Sequence, residues 1–275
     1  MKRKWSKFER ALAITAVIGA ASACTAAPAQ AFSFLTPWNG PVEVKFINWE
    51  QETPGTGNGN GIIDAAGEQL DGILKIKTIS AANSNSTLLW FDGKDGEELT
   101  GTFSGYTAGN VAFNPFLGAL EMDFTGGGFN LYLDNTPDFD ATYPGAGVTD
   151  GILFLSAAGA TGIHAFDNPF TAGFDETTAT LHSTATGFTS PFTGNGTGYL
   201  EITGGAYASL FGVDTFGPGR DLYLNSDFSA PGNDGWPVKS DDPVIGTVVP
   251  EPGTLLLLGS GIIGLGLMGR RRFKK

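Results

Sequence analysis

The sequence holds two histidines, His164 and His182. A zinc site built on them needs a third ligand, and an acid–base pair needs the two rings to converge. Their spacing shows neither. His164 sits beside Ile163 and Phe166 and His182 follows Leu181, so both read as ordinary strand or loop residues. Carboxylates are plentiful: Asp134, Asp138 and Asp140 lie close together, and Asp241 and Asp242 form a pair. Two carboxyl groups at a set distance can hydrolyse a glycosidic bond. With 26 acids between Phe32 and Val249, however, close spacing arises by chance, and solvated loops are the stronger reading. Loose cation binding at Asp134 to Asp140 is favoured over catalysis there. No Gly-x-Ser-x-Gly elbow occurs in this stretch. No catalytic residue is expected, and the chain reads as a non-enzyme.

One stretch has the order of a cation loop. In Gly57-Asn58-Gly59-Asn60-Gly61-Ile62-Ile63-Asp64, oxygen ligands for Ca²⁺ would fall on Asn58, Asn60 and Asp64, with Gly61 making the sharp turn. The first ligand position holds Thr56, and the twelfth holds Gly67 with Glu68 one place late. Much of the charge that holds Ca²⁺ is missing, so a plain glycine loop is the stronger reading. Ca²⁺ here is the one cofactor the sequence suggests; otherwise none is expected. Trp38, Trp49, Trp90 and Trp236 could stack on sugar rings if exposed, although core packing is their default.

The elements that must position these residues are strands. From Pro41 to Trp49, Val42, Val44 and Phe46 share one face and Glu43, Lys45 and Ile47 the other. Ile73 to Ile79 alternates again, with Lys75 and Lys77 on one face. Thr87 to Phe91, Leu99 to Tyr106, Ile152 to Leu155, Leu200 to Ile202, Ala206 to Val213 and Leu222 to Leu224 read as further strands, with Ile152 to Leu155 central because it is apolar throughout. Leu120 to Phe124 and Phe129 to Leu133 read as two strands joined by a hairpin at Thr125-Gly126-Gly127-Gly128. No helix-length period of 3.6 appears. Many short strands with turn residues between them predict an all-β, antiparallel, sandwich-like body.

The two ends are of another kind. Residues 1–31 start with Lys2, Arg3, Lys4, Lys7 and Arg10, continue through an uncharged run from Ala11 to Ala23, and end on Ala29-Gln30-Ala31. That is the pattern of a helical signal peptide, with signal peptidase reading Ala29 and Ala31. Cys24, the sole cysteine, falls in the removed segment, and Ala21 departs from a lipoprotein box. The mature chain then has no thiol for a disulfide or a nucleophile. At the other end, residues 250–275 carry Pro250-Glu251-Pro252, an uncharged Leu/Gly-rich run from Thr254 to Met268, and Arg270, Arg271, Arg272, Lys274 and Lys275. The run is just long enough for a short single transmembrane helix, and the basic cluster holds its end in the cytoplasm. The prolines keep the chain before it extended and exposed to a processing enzyme.

This arrangement closely resembles the PEP-CTERM sorting signal of Gram-negative bacteria. The resemblance implies an exosortase as partner, passage through the inner membrane, transient anchoring there, and then release or re-anchoring at the cell surface or in the extracellular matrix. Thr149-Asp150-Gly151-Ile152-Leu153-Phe154-Leu155, the Gly/Thr/Phe-rich region after it, and the tail are loosely similar in order to flocculation-associated PEP-CTERM proteins. That similarity implies a structural or adhesive role in exopolysaccharide, biofilm or floc formation. The alternative is a secreted carbohydrate- or calcium-binding module, and a glycan hydrolase comes third. Between the ends lies one exported domain, residues 32–249. Each end carries +4, so the total of −12 leaves −20 for this body, with only six basic residues in it. Such a charge repels nucleic acid and anionic lipid and draws divalent cations.

Overall fold

The computed structural model describes residues 38–249 apart from Ser84, Phe116, 168–172, 188–192 and 231–233. The expected signal peptide, Pro250-Glu251-Pro252, the Thr254–Met268 span and the basic tail therefore lie outside the described residues. Ten strands run through these: β1 (Gly40–Glu52), β2 (Gln69–Ala81), β3 (Leu88–Phe91), β4 (Glu98–Asn114), β5 (Ala119–Asp134), β6 (Ile152–Ala160), β7 (Leu181–Ala185), β8 (Thr193–Gly204), β9 (Leu222–Ser229) and β10 (Val238–Val248). Every ladder is antiparallel. The all-β antiparallel reading holds. The two facing layers of a sandwich are here one continuous sheet, because β1 pairs with β10 on one side and β2 on the other and so closes the ring.

Alternation along the strands decides which side faces in. Val42, Val44 and Phe46 of β1 point inward with Leu74 and Ile76 of β2, Leu99 of β4, Phe129 and Leu131 of β5, and Val244 of β10. A short helix, α1 (Ala208–Phe211), brings Phe211 against Phe154 to close the apolar interior. Ala206 to Val213, expected as a strand, is this turn and helix. Gly205, at φ 104°, breaks the extension just before it. A second apolar cluster lies outside the sheet, where Trp49 and Ile73 meet Val148 and Trp236 beneath the loop after β5.

Two further sequence expectations are overturned. Thr125 to Gly128 is no hairpin: β5 runs unbroken from Ala119 to Asp134 and pairs with β4 throughout, Gly126 facing Tyr106 and Gly128 facing Ser104. Gly127 is required because the Tyr106 ring lies over it, where a Cβ would fall 2.3 Å from the ring, and at Gly128 a Cβ would meet the Ala157 carbonyl oxygen at 2.7 Å. Ile152 to Leu155 is not central at its start, since Ile152 is 50% and Leu153 40% exposed. β6 pairs with β5 from Ile152 but meets β8 only from Ser156 onward.

One strand position of the ring is broken. β6 and β7 occupy one position in the ring, both between β5 and β8. After Ala160 the chain leaves the sheet, and at Leu181 it re-enters the same position. Thr180 fixes the re-entry, its hydroxyl donating to the Gly126 carbonyl at 2.8 Å.

Candidate functional site

The broken strand brings the two histidines together. Met122 and Phe124 of β5 line the interior, so Asp123 between them faces outward. Leu181 and Ser183 of β7 do the same, so His182 also faces outward and stands directly opposite Asp123 in the ladder. The segment leaving the sheet after β6 supplies His164. Gly162, at φ 109°, turns it, under an Arg220 guanidinium that a Cβ there would meet at 2.0 Å. Farther along, the Phe174 ring fills the space above Gly109 of β4.

His164 Nε2 and His182 Nδ1 each lie 2.8 Å from the same oxygen, Asp123 Oδ1. The rings stand edge to face, with centroids 4.7 Å apart and planes at 87°. Asp123 is buried and both histidines are half-buried. Burial pushes the Asp123 carboxyl up, but the hydrogen bonds from His182 and His164, with their charges, outweigh it and hold the group below the usual carboxylate range. Two imidazole nitrogens and a carboxylate oxygen within 4.8 Å of one another form a donor set for a metal ion. The sequence offered little warning, because Asp123 lies 41 residues from His164 and 59 from His182. The one available signal was that the strand pattern of Leu120 to Phe124 puts Asp123 between two inward apolar residues, on the opposite face.

The glycine loop is built around two glutamates. Glu52 closes β1 and Glu68 precedes β2, and both are buried. Glu52 Oε2 accepts from the backbone N–H of Gly59 at 3.0 Å and of Gly61 at 3.3 Å. Glu68 Oε2 accepts from Asp64 N at 2.8 Å and Ala65 N at 3.0 Å. Asn58 and Asn60 each direct their amide nitrogen to one oxygen of Asp64, at 2.8 and 2.6 Å. Their own amide oxygens accept from Asn60 N and Ile62 N, both at 2.9 Å. The expected Ca²⁺ donors thus lie side by side, in a loop whose backbone N–H groups donate to the two glutamates. Sequence spacing found the loop but missed Glu52.

Several other carboxylates take part in local turns and ion pairs. Glu98, fully buried, pairs with Lys75 Nζ at 3.0 Å and accepts from Asp138 N and Phe139 N. Its ligand atom lies within 4.8 Å of those of Asp134 and Asp138. Asp134 and Asp140 accept from backbone N–H groups two residues on, forming local turns. Asp241 is exposed on β10, directly across from Asp227 of β9. Trp49, Trp90 and Trp236 are buried, and their indole N–H groups go to Asp234, Glu97 and the Ala141 carbonyl. Trp38 is half-buried.

At its far end, β10 stops at Val248, which is buried, and Val249 N donates to the Leu210 carbonyl. From that point a family model described as the PEP-CTERM protein-sorting motif matches residues 248–272. The chain carries a PEP-CTERM sorting signal. With it comes the coarse function: this is an exported protein, sorted by an exosortase and transiently anchored in the membrane of a Gram-negative bacterium. The PEP-CTERM signal starts on the last ladder residue of the ring, so its Pro250-Glu251-Pro252 follows the folded body with one residue between. Among the described residues no helix is long and apolar enough to cross a membrane, and the expected span lies outside them. No curated protein matches the chain. Among solved structures, one similarity is to the Yersinia pestis attachment invasion locus protein Ail in complex with the heparin analogue sucrose octasulfate. It has 7% identity over 77% of this chain and 99% of that one, at a TM-score of 0.14, which is too low to support any argument.

Proposed function

We propose that this protein is a non-enzymatic structural or adhesive component of the cell surface or extracellular matrix, acting in exopolysaccharide, biofilm or floc formation. The observation that carries the reading is the junction at Val248: a sorting signal attached directly to a closed, acidic β-body. Burial of Trp49, Trp90 and Trp236 favours a structural body over a sugar-stacking module, because those three rings present no free face to a glycan. The described carboxylates are largely engaged in turns, ion pairs and loop N–H groups, which favours framework over glycoside hydrolysis.

Sorting is tested by replacing Arg270, Arg271 and Arg272 with Ala. The basic cluster orients the span, so the variant is expected to accumulate as an unprocessed, membrane-held precursor. Normal processing of that variant in fractionated cells contradicts the orientation argument. The matrix role is tested by fractionating the wild-type culture. Recovery with exopolysaccharide, and looser flocs in a strain lacking the protein, are expected. Saturable binding of one glycan would favour the carbohydrate-binding alternative, and glycan turnover the hydrolase.

A further inference from the structure

We propose that Asp123, His164 and His182 bind a divalent first-row transition metal ion, which ties residues 161–167 to the outer face of the sheet. The chain has two histidines in 275 residues, and both reach one carboxylate oxygen from different elements. His182 arrives by ladder register and His164 by a segment that breaks the strand.

The geometry suits the ion. Ligand atoms about 2.0–2.2 Å from a tetrahedral zinc stand about 3.3 Å from one another. The two nitrogen–oxygen distances here are 2.8 Å, so each ring has to withdraw by about half an ångström. On binding, the facing nitrogen of each ring gives up its hydrogen, to solvent or by tautomer exchange, and its lone pair turns to the metal. Asp123 supplies the one carboxylate oxygen of the donor set. The histidines are half-buried, so the site is partly open to solvent. Imidazole donors select transition ions over Ca²⁺, which takes oxygen ligands, so this site differs in kind from the scattered acids of the surface.

The test uses the full chain in detergent, made without a polyhistidine tag, with Zn²⁺ as probe and excess Ca²⁺ to occupy surface carboxylates. Two histidines give two imidazole spin systems in ¹H–¹⁵N spectra. Both are expected to shift and to saturate at one equivalent of Zn²⁺, with a rise in Tm. His164→Gln is expected to lower Zn²⁺ affinity at least about 100-fold with an unchanged far-UV circular dichroism spectrum. The proposal is overturned if neither ring shifts in the wild type, or if folded His164→Gln binds Zn²⁺ as tightly as before. Should the variant fail to fold, the wild-type ring spectra decide.

Discussion

Glu50 lies inside the closed sheet, where Asn48 Nδ2 donates to it at 2.7 Å and Ser240 Oγ donates as well. Burial raises its pKa above the ordinary 4.5, against the lowering effect of the two hydrogen bonds. The folded protein thus holds this proton more tightly than the unfolded chain does. The stability it contributes is complete below the unfolded pKa and is lost as pH rises through the folded one. Glu50→Gln keeps the shape and removes the charge. A higher Tm than wild type is expected at pH 8, with the difference shrinking toward pH 4, and thermal melts at both values check it. A lower Tm for the variant at pH 8 would contradict the burial argument. Asp123 has the opposite sign: its depressed pKa adds stability above the unfolded value, which is lost as pH falls through the folded one. Neither behaviour could be read from type or spacing. An acid in an alternating segment looks alike whether it faces inward with a hydroxyl, as Glu50 does, or outward onto two histidines.

At the scale of elements, alternation was a good guide where the strand is half-buried. β1 shows the expected inward set of Val42, Val44 and Phe46. It failed where a glycine's reason was a neighbour's ring. Gly127 has φ 78° and the Tyr106 ring over it, whereas Gly118 has φ 65° and open space. Gly127→Ala should therefore cost about 2–4 kcal/mol, combining left-handed strain with overpacking. Gly118→Ala should cost only about 1 kcal/mol, for the strain alone. Urea unfolding of the pair measures the difference, and equal losses would mean that the ring moves aside freely. β7 and β10 were not legible either. Leu181 to Ala185 is short and contains a histidine and two hydroxyl residues, and Asp241-Asp242-Pro243 interrupts β10 in a way that reads as a turn. Both are strands because long-range ladders on either side hold them.

For the whole molecule, charge and export were the most legible properties, since both reside in composition and terminal pattern rather than in contacts. A body of −20 with six basic groups should stay dispersed at low salt. Exposed like charges face one another across the ladder at Asp227 and Asp241, a placement that divalent ions relieve by bridging. Light scattering of the full chain in detergent is expected to rise on Ca²⁺ titration and to fall again with a chelator, while matched NaCl has no such effect. Absence of any Ca²⁺-specific rise, with or without acidic polysaccharide, would remove bridging from the account. The closing of β1 onto β2 limits how such association can proceed. A sheet that ends on itself gives a second molecule few unpaired N–H and C=O groups to continue from. Among the described residues, β3 is a four-residue strand paired on one side only, with β2. Copies of this body are poorly equipped to grow strand on strand into fibrils. A matrix that contains them would be joined through side chains, ions and polymer, and would come apart when those are exchanged.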